Sequence, residues 1–383
     1  MQSIMHAAPW WPYVVVAWVG VYFVVLIFLS AGIRRLPYST PRPPAGCMTV
    51  SVIVSARNEA RDLPVCLASL LAQDYPPQLL QIILVDDHST DETGALVDAA
   101  AAAHAHVIAL HSADLPRNGL EAKARGIAHG IHAATGEWVL ITDADAAVHP
   151  EWARRLLGRV TANTGMVGGA LVVRSNGSVG IVERMSWGFL QLFNTGMAGW
   201  GLPFVCLGPN MGIRRDVYVS AGGLEAASFR VAEDLALFQM VQRRKLGIQV
   251  YMDAESTATL APVPSARHLL SQHRRWLGGG IGQGPAYAVL LGLAILWASG
   301  ILLYMLVGWR LGGAYWLAFL AAKALLDARL LAMQQRRMRL TEHVRFWWVL
   351  QLYHIALIGL LPPSFLFTRR IAWRGTGYTV EYS

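Results

Sequence analysis

Charge is scarce in this chain. Only 15% of its 383 residues are Asp, Glu, Lys or Arg, and 54% are hydrophobic. A typical soluble domain carries about 25% charged residues, so an ordinary cytosolic protein is excluded. A mainly disordered chain needs the opposite balance and is excluded too. Cysteine is scarcer still. Cys47, Cys66 and Cys206 are too few and too scattered for a disulfide framework or a thiolate zinc site. They read as buried thiols. Acidic residues are almost missing outside the middle of the chain. Residues 48–277 hold 19 Lys and Arg against 21 Asp and Glu, whereas the remainder holds 13 against 3. The net charge of +8 therefore belongs to the two ends, beside apolar runs. A nucleic-acid-binding protein would carry that charge on its recognition domain. Basic residues flanking apolar runs instead mark the cytoplasmic side of a membrane. No nucleic-acid partner is expected.

The first apolar run, Trp10 to Gly32, contains no charge and is followed at once by Arg34 and Arg35. A membrane span needs about 20 apolar residues. No basic residue precedes the run, as one would in a cleaved signal peptide. An uncleaved helix is expected, with residue 35 onward in the cytoplasm. A second uncharged run covers Trp276 to Trp309. Its opening glycines, Gly278, Gly279, Gly280, Gly282 and Gly284, make a poor helix, so the span is expected over Ala286–Trp309. Leu311 to Met333 follows, with Lys323 and Asp327 four residues apart on one helix face. Gln334–Arg345 is basic and reads as a cytoplasmic turn. Phe346 to Thr368 is a further uncharged run, broken by Pro362-Pro363. The prolines make a re-entrant or interfacial segment, which would keep the arginines of the tail, 369–383, in the cytoplasm.

The middle of the chain alternates in character. Val50–Val54 and Gln81–Val85 are short β-branched runs, and Leu63–Gln73 has helical periodicity. Ser89-Thr90-Asp91-Glu92 fits a capping box opening an alanine-rich helix to Ala103. Val107–Leu110, Trp138–Thr142 and Met166–Val173 continue the strands, with helices over Leu120–Thr135 and Pro150–Thr161. This alternation implies an α/β domain with a mostly parallel sheet and covering helices. Ligands bind such sheets beyond the carboxyl ends of the strands.

Carboxylates collect at three of those ends: Asp86-Asp87, Asp143-Ala144-Asp145, and Glu233-Asp234 after Phe229-Arg230-Val231. Any one of them has an ordinary reading, as a helix cap or an Asx turn. Three at successive elements of one sheet point to a site. An Asp-x-Asp leaving a strand directs two carboxylates to one side, and oxygen ligands of that kind suit Mg²⁺ or Mn²⁺. Gln272-His273-Arg274-Arg275-Trp276 ends the middle region. Alone it reads as a basic membrane flank with an interfacial tryptophan. Beside a bound cation its arginines gain another use, since a guanidinium clamps phosphate.

The segments VSVIVSARNE (50–59), LVDDHSTDET (84–93), TGEWVLITDADAAVHPEW (135–152), GPNMGIRR (208–215), AEDLALFQ (232–239) and QHRRW (272–276) occur in the order of the family-2 glycosyltransferases. The chain most resembles the membrane ceramide-glucosyltransferase-like branch, a cousin of the cellulose and hyaluronan synthases. Ala372-Trp373-Arg374-Gly375 resembles a terminal signature of that branch. The resemblance implies a glycosyltransferase A-type nucleotide-sugar-binding domain over 48–277. The N-terminal helix (1–35) and the segments at 278–368 would lie in the membrane. It implies that Asp86 or Asp87 holds the uridine end of a UDP-sugar, with Arg57, Glu59 and Lys123 as further nucleotide contacts. Asp143 and Asp145 match the metal pair, Asp145 ahead of Asp143, for Mg²⁺ or Mn²⁺. Asp234, paired with Glu233, matches the general base, and Gln272, Arg275 and Trp276 match the acceptor and diphosphate motif. Ser55, Ala122 and Ala232 depart from the family's proline, glycine and threonine.

The chemistry expected from these groups is direct displacement at the anomeric carbon. The leaving diphosphate would be stabilised by a divalent ion and Arg275, and one base would deprotonate the acceptor. A single base opposite the leaving group inverts the anomeric centre. The expected product is a glycolipid, made from a glucose donor and a membrane lipid acceptor at a bacterial cytoplasmic membrane. The uncharged aromatic segment Trp187–Leu207 is read either as core or as an element dipping into the membrane interface. Two rivals remain: a processive polysaccharide synthase, which needs a larger bundle of spans, and an inactive scaffold, which does not need the acidic sites.

Overall fold

The computed structural model describes residues 11–41, 48–116, 119–120, 122–174, 177–227, 233–281, 314–340, 370–373 and 376–379, with 304, 305 and 308. Most of the uncharged run from 282 to 309, all of Phe346–Thr368 with its Pro362-Pro363, Phe229–Ala232, Cys47 and most of the tail lie outside the described residues.

Strands β1 (Val50–Ala56), β2 (Leu80–Asp86), β3 (Val107–His111) and β4 (Trp138–Asp143) pair in parallel in the order β3-β2-β1-β4. Strand β8 (Asn210–Arg214) runs antiparallel to β4, and β6 (Thr164–Gly168) and β9 (Gly247–Val250) complete the sheet. Both faces are buried, which is why the strands read as unbroken apolar runs. Successive residues part company by face. Val50, Val52 and Val54 enter one core, while Ile53 enters the other with Ile83, Val85 and Ile141. A small second sheet joins β5 (Ala146–Val148), β10 (Ala258–Leu260) and β7 (Leu171–Val173).

Helix α2 (Leu63–Leu71), helix α3 (Thr93–Ala103), helix α4 (Ala122–Ala133) and helix α5 (Trp152–Leu157) cover the sheet. Several expectations need correction here. The capping box does not form: Glu92 holds the N-cap position without a side-chain cap. Its groups are claimed by tertiary contacts instead. Ser89 Oγ accepts from the Asn58 amide (3.0 Å), and Asp91 Oδ2 accepts from the Ala60 amide (3.2 Å). The single strand expected over Met166–Val173 is two strands in two sheets. The break falls at Gly169, where a Cβ would lie 2.0 Å from the Ser256 carbonyl oxygen.

Helix α1 (Trp11–Arg35), helix α6 (Gly177–Ala198) and helix α10 (Ala314–Arg337) pack together at one end of the domain; helices α7 (Arg215–Ser220), α8 (Glu233–Arg243) and α9 (Ala266–Ile281) fall between the last two in the chain. Helices α1 and α6 cross backbone to backbone: a Cβ on Gly32 would lie 1.8 Å from the Gly196 carbonyl oxygen. Lys323 and Asp327 pair as their spacing suggested, at 2.5 Å, and Tyr22 donates to Asp327 at 2.8 Å. Gln334 to Arg337, expected in a turn, are instead the last turn of α10. There Arg337 donates to the carbonyls of Ile33 (3.0 Å) and Leu36 (2.8 Å), satisfying the carboxyl end of α1. Helix α9 continues through Gly278–Gly280 despite their poor propensity, because propensity is a weak prior against tertiary context.

Among the described residues no helix is long and apolar enough to cross a membrane. In α1 the side chains are described without a break only from Gly20 onward. The segment Trp187–Leu207 is mainly core: Trp187, Leu192, Val205, Cys206 and Leu207 are buried, although Phe193 and Leu202 are exposed. Cys66 and Cys206 are free and buried.

Candidate active site

The order β3-β2-β1-β4 places the topological switch between β1 and β4, where connections leave in opposite directions and a crevice opens at the strand ends. An open cleft of about 320 Å³ lies there, lined by Ser55, Arg57, Glu59, Asp87, Lys123, Asp143, Ala144 and Asp145. Six residues expected in the nucleotide and metal sites from sequence thus meet in one place. The sheet register explains the meeting: Ser55 stands opposite Asp143, and Ala56 opposite Asp86.

Helix α4 brings Lys123 over this edge. It lies unusually close to β1, since a Cβ on Gly126 would sit 2.2 Å from Ser55 Oγ and one on Gly130 2.5 Å from Ile53 Cγ2. Lys123 Nζ lies 2.6 Å from Asp143 Oδ1 and 2.9 Å from Glu233 Oε1. Burial alone would lower the lysine pKa, but the two carboxylates outweigh it and raise it, so the ammonium stays charged. The helix begins at Ala122 with a φ of 47°. That left-handed conformation favours glycine, so the family's glycine here has a backbone reason.

Asp86 and Asp87 separate. Asp87 lines the cleft, and its Oδ1 accepts from Arg125 at 2.5 Å. Asp86 turns the other way. It accepts from the Ser89 amide (3.2 Å) and lies 3.3 Å from His111 Nδ1. Of the two candidates for the uridine end, only Asp87 reaches the cleft, because side chains alternate at the strand end. Arg125 also reaches His88 Nδ1 at 3.0 Å. Arg125 was missed from sequence, although a charged residue between Ala124 and Gly126 on a helix facing the sheet was a visible signal.

Glu233 and Asp234 open α8 beside the cleft. Lys123 links Glu233 to Asp143, and the backbone of Gly208 packs against all three charged groups: a Cβ there would lie 3.1 Å from Lys123 Nζ, 3.2 Å from Glu233 Oε1 and 3.6 Å from Asp234 Oδ2. Asp234 accepts from the amides of Leu235 (2.8 Å) and Gly208 (3.3 Å). Burial, and then the charge of Glu233, raise its pKa to about 6, against a lowering pull from Lys123. A carboxylate tuned upward in this way is suited to accept a proton near neutral pH.

Asp143 and Asp145 leave β4 on one side, with Ala144 buried between them. Two hard oxygen donors at one strand end fit Mg²⁺ or Mn²⁺, which take one or two carboxylates and complete their shell with phosphate and water. Among the described residues no group of three or more His, Cys, Asp or Glu could hold a metal unaided. Gln272 and Trp276 do not line the cleft. They stand on α9 against α6, and Trp276 meets Trp187 edge-on at 4.3 Å. The chain leading into α9 is tied to the cleft by the Ala261 amide, which donates to the Asp145 carbonyl at 2.9 Å.

Known proteins resemble this chain in sequence and in fold. The profile described as "Glycosyl transferase family 2" matches residues 51–220, and that described as "Glycosyl transferase family group 2" matches residues 138–362. The succinoglycan biosynthesis protein ExoO of Rhizobium meliloti (strain 1021) is 35% identical over 113 residues, 30% of each chain. Glycosyltransferase GlyG of Streptococcus pneumoniae serotype 4 is 37% identical over 99 residues, 26% of this chain and 31% of that one. The chain thus spans about 30% of the length of these curated relatives. Among solved structures, the mannosyltransferase PcManGT from Pyrobaculum calidifontis, in complex with GDP-Man and Mn²⁺, has a TM-score of 0.61 and 20% identity. The match covers 91% of this chain and 98% of that one, a likeness of fold. Since the second profile extends over more than half of the sequence, the chain belongs to the family-2 glycosyltransferases and is an enzyme of that kind.

Proposed function

We propose that this enzyme transfers a single glucose from a UDP-sugar to the hydroxyl of a membrane lipid, with inversion, to make a glycolipid. The observation that carries the reaction is Asp234, a half-buried carboxylate with its pKa raised to about 6, set beside Lys123 and the Asp143–Asp145 strand end. The nucleotide would enter the cleft against Arg57, Glu59 and Asp87. Asp145 and Asp143 would hold Mg²⁺ or Mn²⁺, which when bound supplies positive charge against the departing diphosphate. Asp234 takes the proton of the acceptor hydroxyl as its oxygen bonds to the anomeric carbon and the bond to the diphosphate breaks. Lys123 holds Asp143 and Glu233 in place, and its charge keeps Asp234 from being neutralised at still higher pH. Arg275 is assigned to the diphosphate.

The lipid acceptor is supported by the surface of the helical end. Val21, Val24, Ile27 and Phe28 are exposed on α1 at helical spacing, and Leu317 and Leu325 on α10 are 61% and 72% exposed. Apolar stripes of this kind, next to Arg34, Arg35, Arg336 and Arg337, suit a bilayer with its cytoplasmic headgroups at the basic end. The catalytic domain would then face the cytoplasm of a bacterial inner membrane.

The test is turnover of labelled UDP-glucose by detergent-purified enzyme with a lipid extract. One short lipid product is expected. A ladder of many sugars, or equal extension of a water-soluble oligosaccharide, would overturn the lipid reading. Orientation is read with a cysteine introduced on the catalytic surface, since Cys66 and Cys206 are buried. Its labelling by an impermeant thiol reagent in intact cells would contradict a cytoplasmic domain.

A further inference from the structure

Arg57 and Glu59 both line the cleft, yet they stand on either side of Asn58, which is exposed. The chain turns sharply here as it leaves β1. Asn58 has a φ of 54°, in the left-handed region that few residues other than glycine, asparagine and aspartate enter. The loop after β2 turns in the same way at His88, with a φ of 59°. The two turns are fastened together. The backbone N–H of Asn58 donates to Ser89 Oγ (3.0 Å), and its side-chain Oδ1 accepts from the backbone N–H of Thr90 (2.8 Å) and from Thr90 Oγ1 (3.3 Å). The next two N–H groups follow: that of Glu59 donates to Thr93 Oγ1 (2.8 Å) and that of Ala60 to Asp91 Oδ2 (3.2 Å). Residues 58–60 thus direct every backbone N–H to residues 89–93.

These two loops carry Arg57, Glu59 and Asp87, three of the residues that line the cleft. Their place in the sheet says which half of a nucleotide they would meet. The order β2-β1-β4 sets the loop after β2 two strand spacings, about 10 Å, from Asp143 and Asp145 at the end of β4. A diphosphate held by a cation at the β4 end can reach this wall with its nucleoside. Asparagine meets both demands of position 58. Its backbone tolerates the left-handed turn, and its Oδ1 takes two donors that a hydrocarbon side chain could not take. Alanine would meet neither demand, glycine only the first, and aspartate both. Without the turn, the N–H groups of Glu59 and Ala60 lose their line to Thr93 and Asp91, and the side chains on either side of Asn58 lose their shared aim.

We propose that Asn58 is a positioning residue for the nucleoside half of the donor: by its left-handed turn and its bonds to Thr90 it fastens the loops after β1 and β2 into one wall and aims Arg57 and Glu59 into the cleft. The inference rests on the cleft being the nucleotide site, as in the reading above. Asn58 acts through its two neighbours rather than by touching the donor. The wall is ordered before the donor arrives, so binding carries little ordering cost there.

The experiment compares detergent-purified, full-length parent with Asn58→Ala, Asn58→Gly and Asn58→Asp by calorimetric titration with UDP and with inorganic pyrophosphate, each with Mn²⁺. Asn58 is exposed, so truncating it opens no cavity and the variants should fold. Asn58→Ala should bind UDP about ten-fold or more weakly, the cost of ordering two side chains on binding, while its affinity for pyrophosphate stays within about two-fold of the parent's. Asn58→Gly should fall between, and Asn58→Asp should recover most of the parent's UDP affinity, since aspartate keeps both the turn and an acceptor for Thr90. Amide hydrogen exchange at Glu59, Ala60 and Thr90 should quicken in Asn58→Ala. Parental UDP affinity in Asn58→Ala overturns the proposal. So does an equal loss of UDP and pyrophosphate affinity, the mark of a general disturbance of the cleft, and so does an Asn58→Asp variant no better than Asn58→Ala. If the parent prefers GDP to UDP, or binds UDP but glycosylates no lipid, the functional reading fails, and the same ratios, taken with the tighter nucleotide, decide the positioning claim. A parent that binds no nucleotide overturns both.

Discussion

Lys123 Nζ lies 2.6 Å from Asp143 Oδ1, so one of the two carboxylates after β4 is already matched to a fixed cation. A divalent ion at this strand end would compete with Lys123 for Asp143, and both Asp143 and Asp145 line the cleft where it would sit. Lys123 also lies 2.9 Å from Glu233, which makes it the hub joining the strand-end aspartates to the carboxylates of α8.

Chelation should abolish turnover, and Mg²⁺ or Mn²⁺ should restore it. Asp145→Asn should raise the metal concentration needed for half-maximal rate. Full activity in excess chelator would remove the ion from the reaction.

Asp234→Asn should lose transfer while keeping nucleotide affinity. Asparagine is near-isosteric but takes no proton, and loss of a general base typically costs about 10²–10⁴ in rate. The parent's pH profile should carry the same signature. A base with its pKa raised to about 6 is active when deprotonated, so kcat/KM should be flat above that pH and fall roughly ten-fold per unit below it. A variant within a few-fold of the parent rate would assign the base elsewhere.

Lys123→Met tests the hub through the same profile. Lys123 lowers the Asp234 pKa against burial and Glu233. Removing it should move the acid limb to higher pH as well as slow the reaction. An unmoved limb would mean that Lys123 and Asp234 are electrically independent.

Asn210, in the segment GPNMGIRR, ties the two sheets together. Its Oδ1 accepts from Trp152 Nε1 at 2.8 Å, and its Nδ2 donates to the carbonyls of Ala170 (2.7 Å) and Ser256 (2.8 Å). Asn210→Ala strands three buried partners, each worth about 1–3 kcal/mol when left unpaired. A loss on the order of 3 kcal/mol or more is expected from denaturant midpoints, and a loss under about 1 kcal/mol would show that water replaces the amide.

Ala122→Gly should stabilise the enzyme by about 0.5–1 kcal/mol, because a left-handed φ burdens alanine more than glycine. A lower thermal midpoint for the glycine variant would show that the Ala122 methyl packs better than its backbone is strained.

Much of this site was legible in the linear chain, for a local reason. Strands buried on both faces must be apolar throughout, so an aspartate ending such a run announces a strand's carboxyl edge. That logic located the pair Asp86-Asp87, Asp143 and Asp145 and the parallel sheet that carries them. The apolar ends with their flanking arginines are equally local, since a run of uncharged residues needs no partner to be recognised. What sequence could not rank was Asp86 against Asp87, because a difference of one residue at a strand end is a difference of side, and only the packed neighbours His111 and Arg125 show which side faces the cleft. The unformed capping box failed for a similar reason: Ser89 and Asp91 had stronger claims on them from residues about thirty positions away. Asn58, between Arg57 and Glu59, carried no signal at all. It stands 32 residues from Thr90 in the chain. Its meaning arises only because the loops after β1 and β2 fold side by side, which engages an amide that the sequence presents as one more polar residue in a loop.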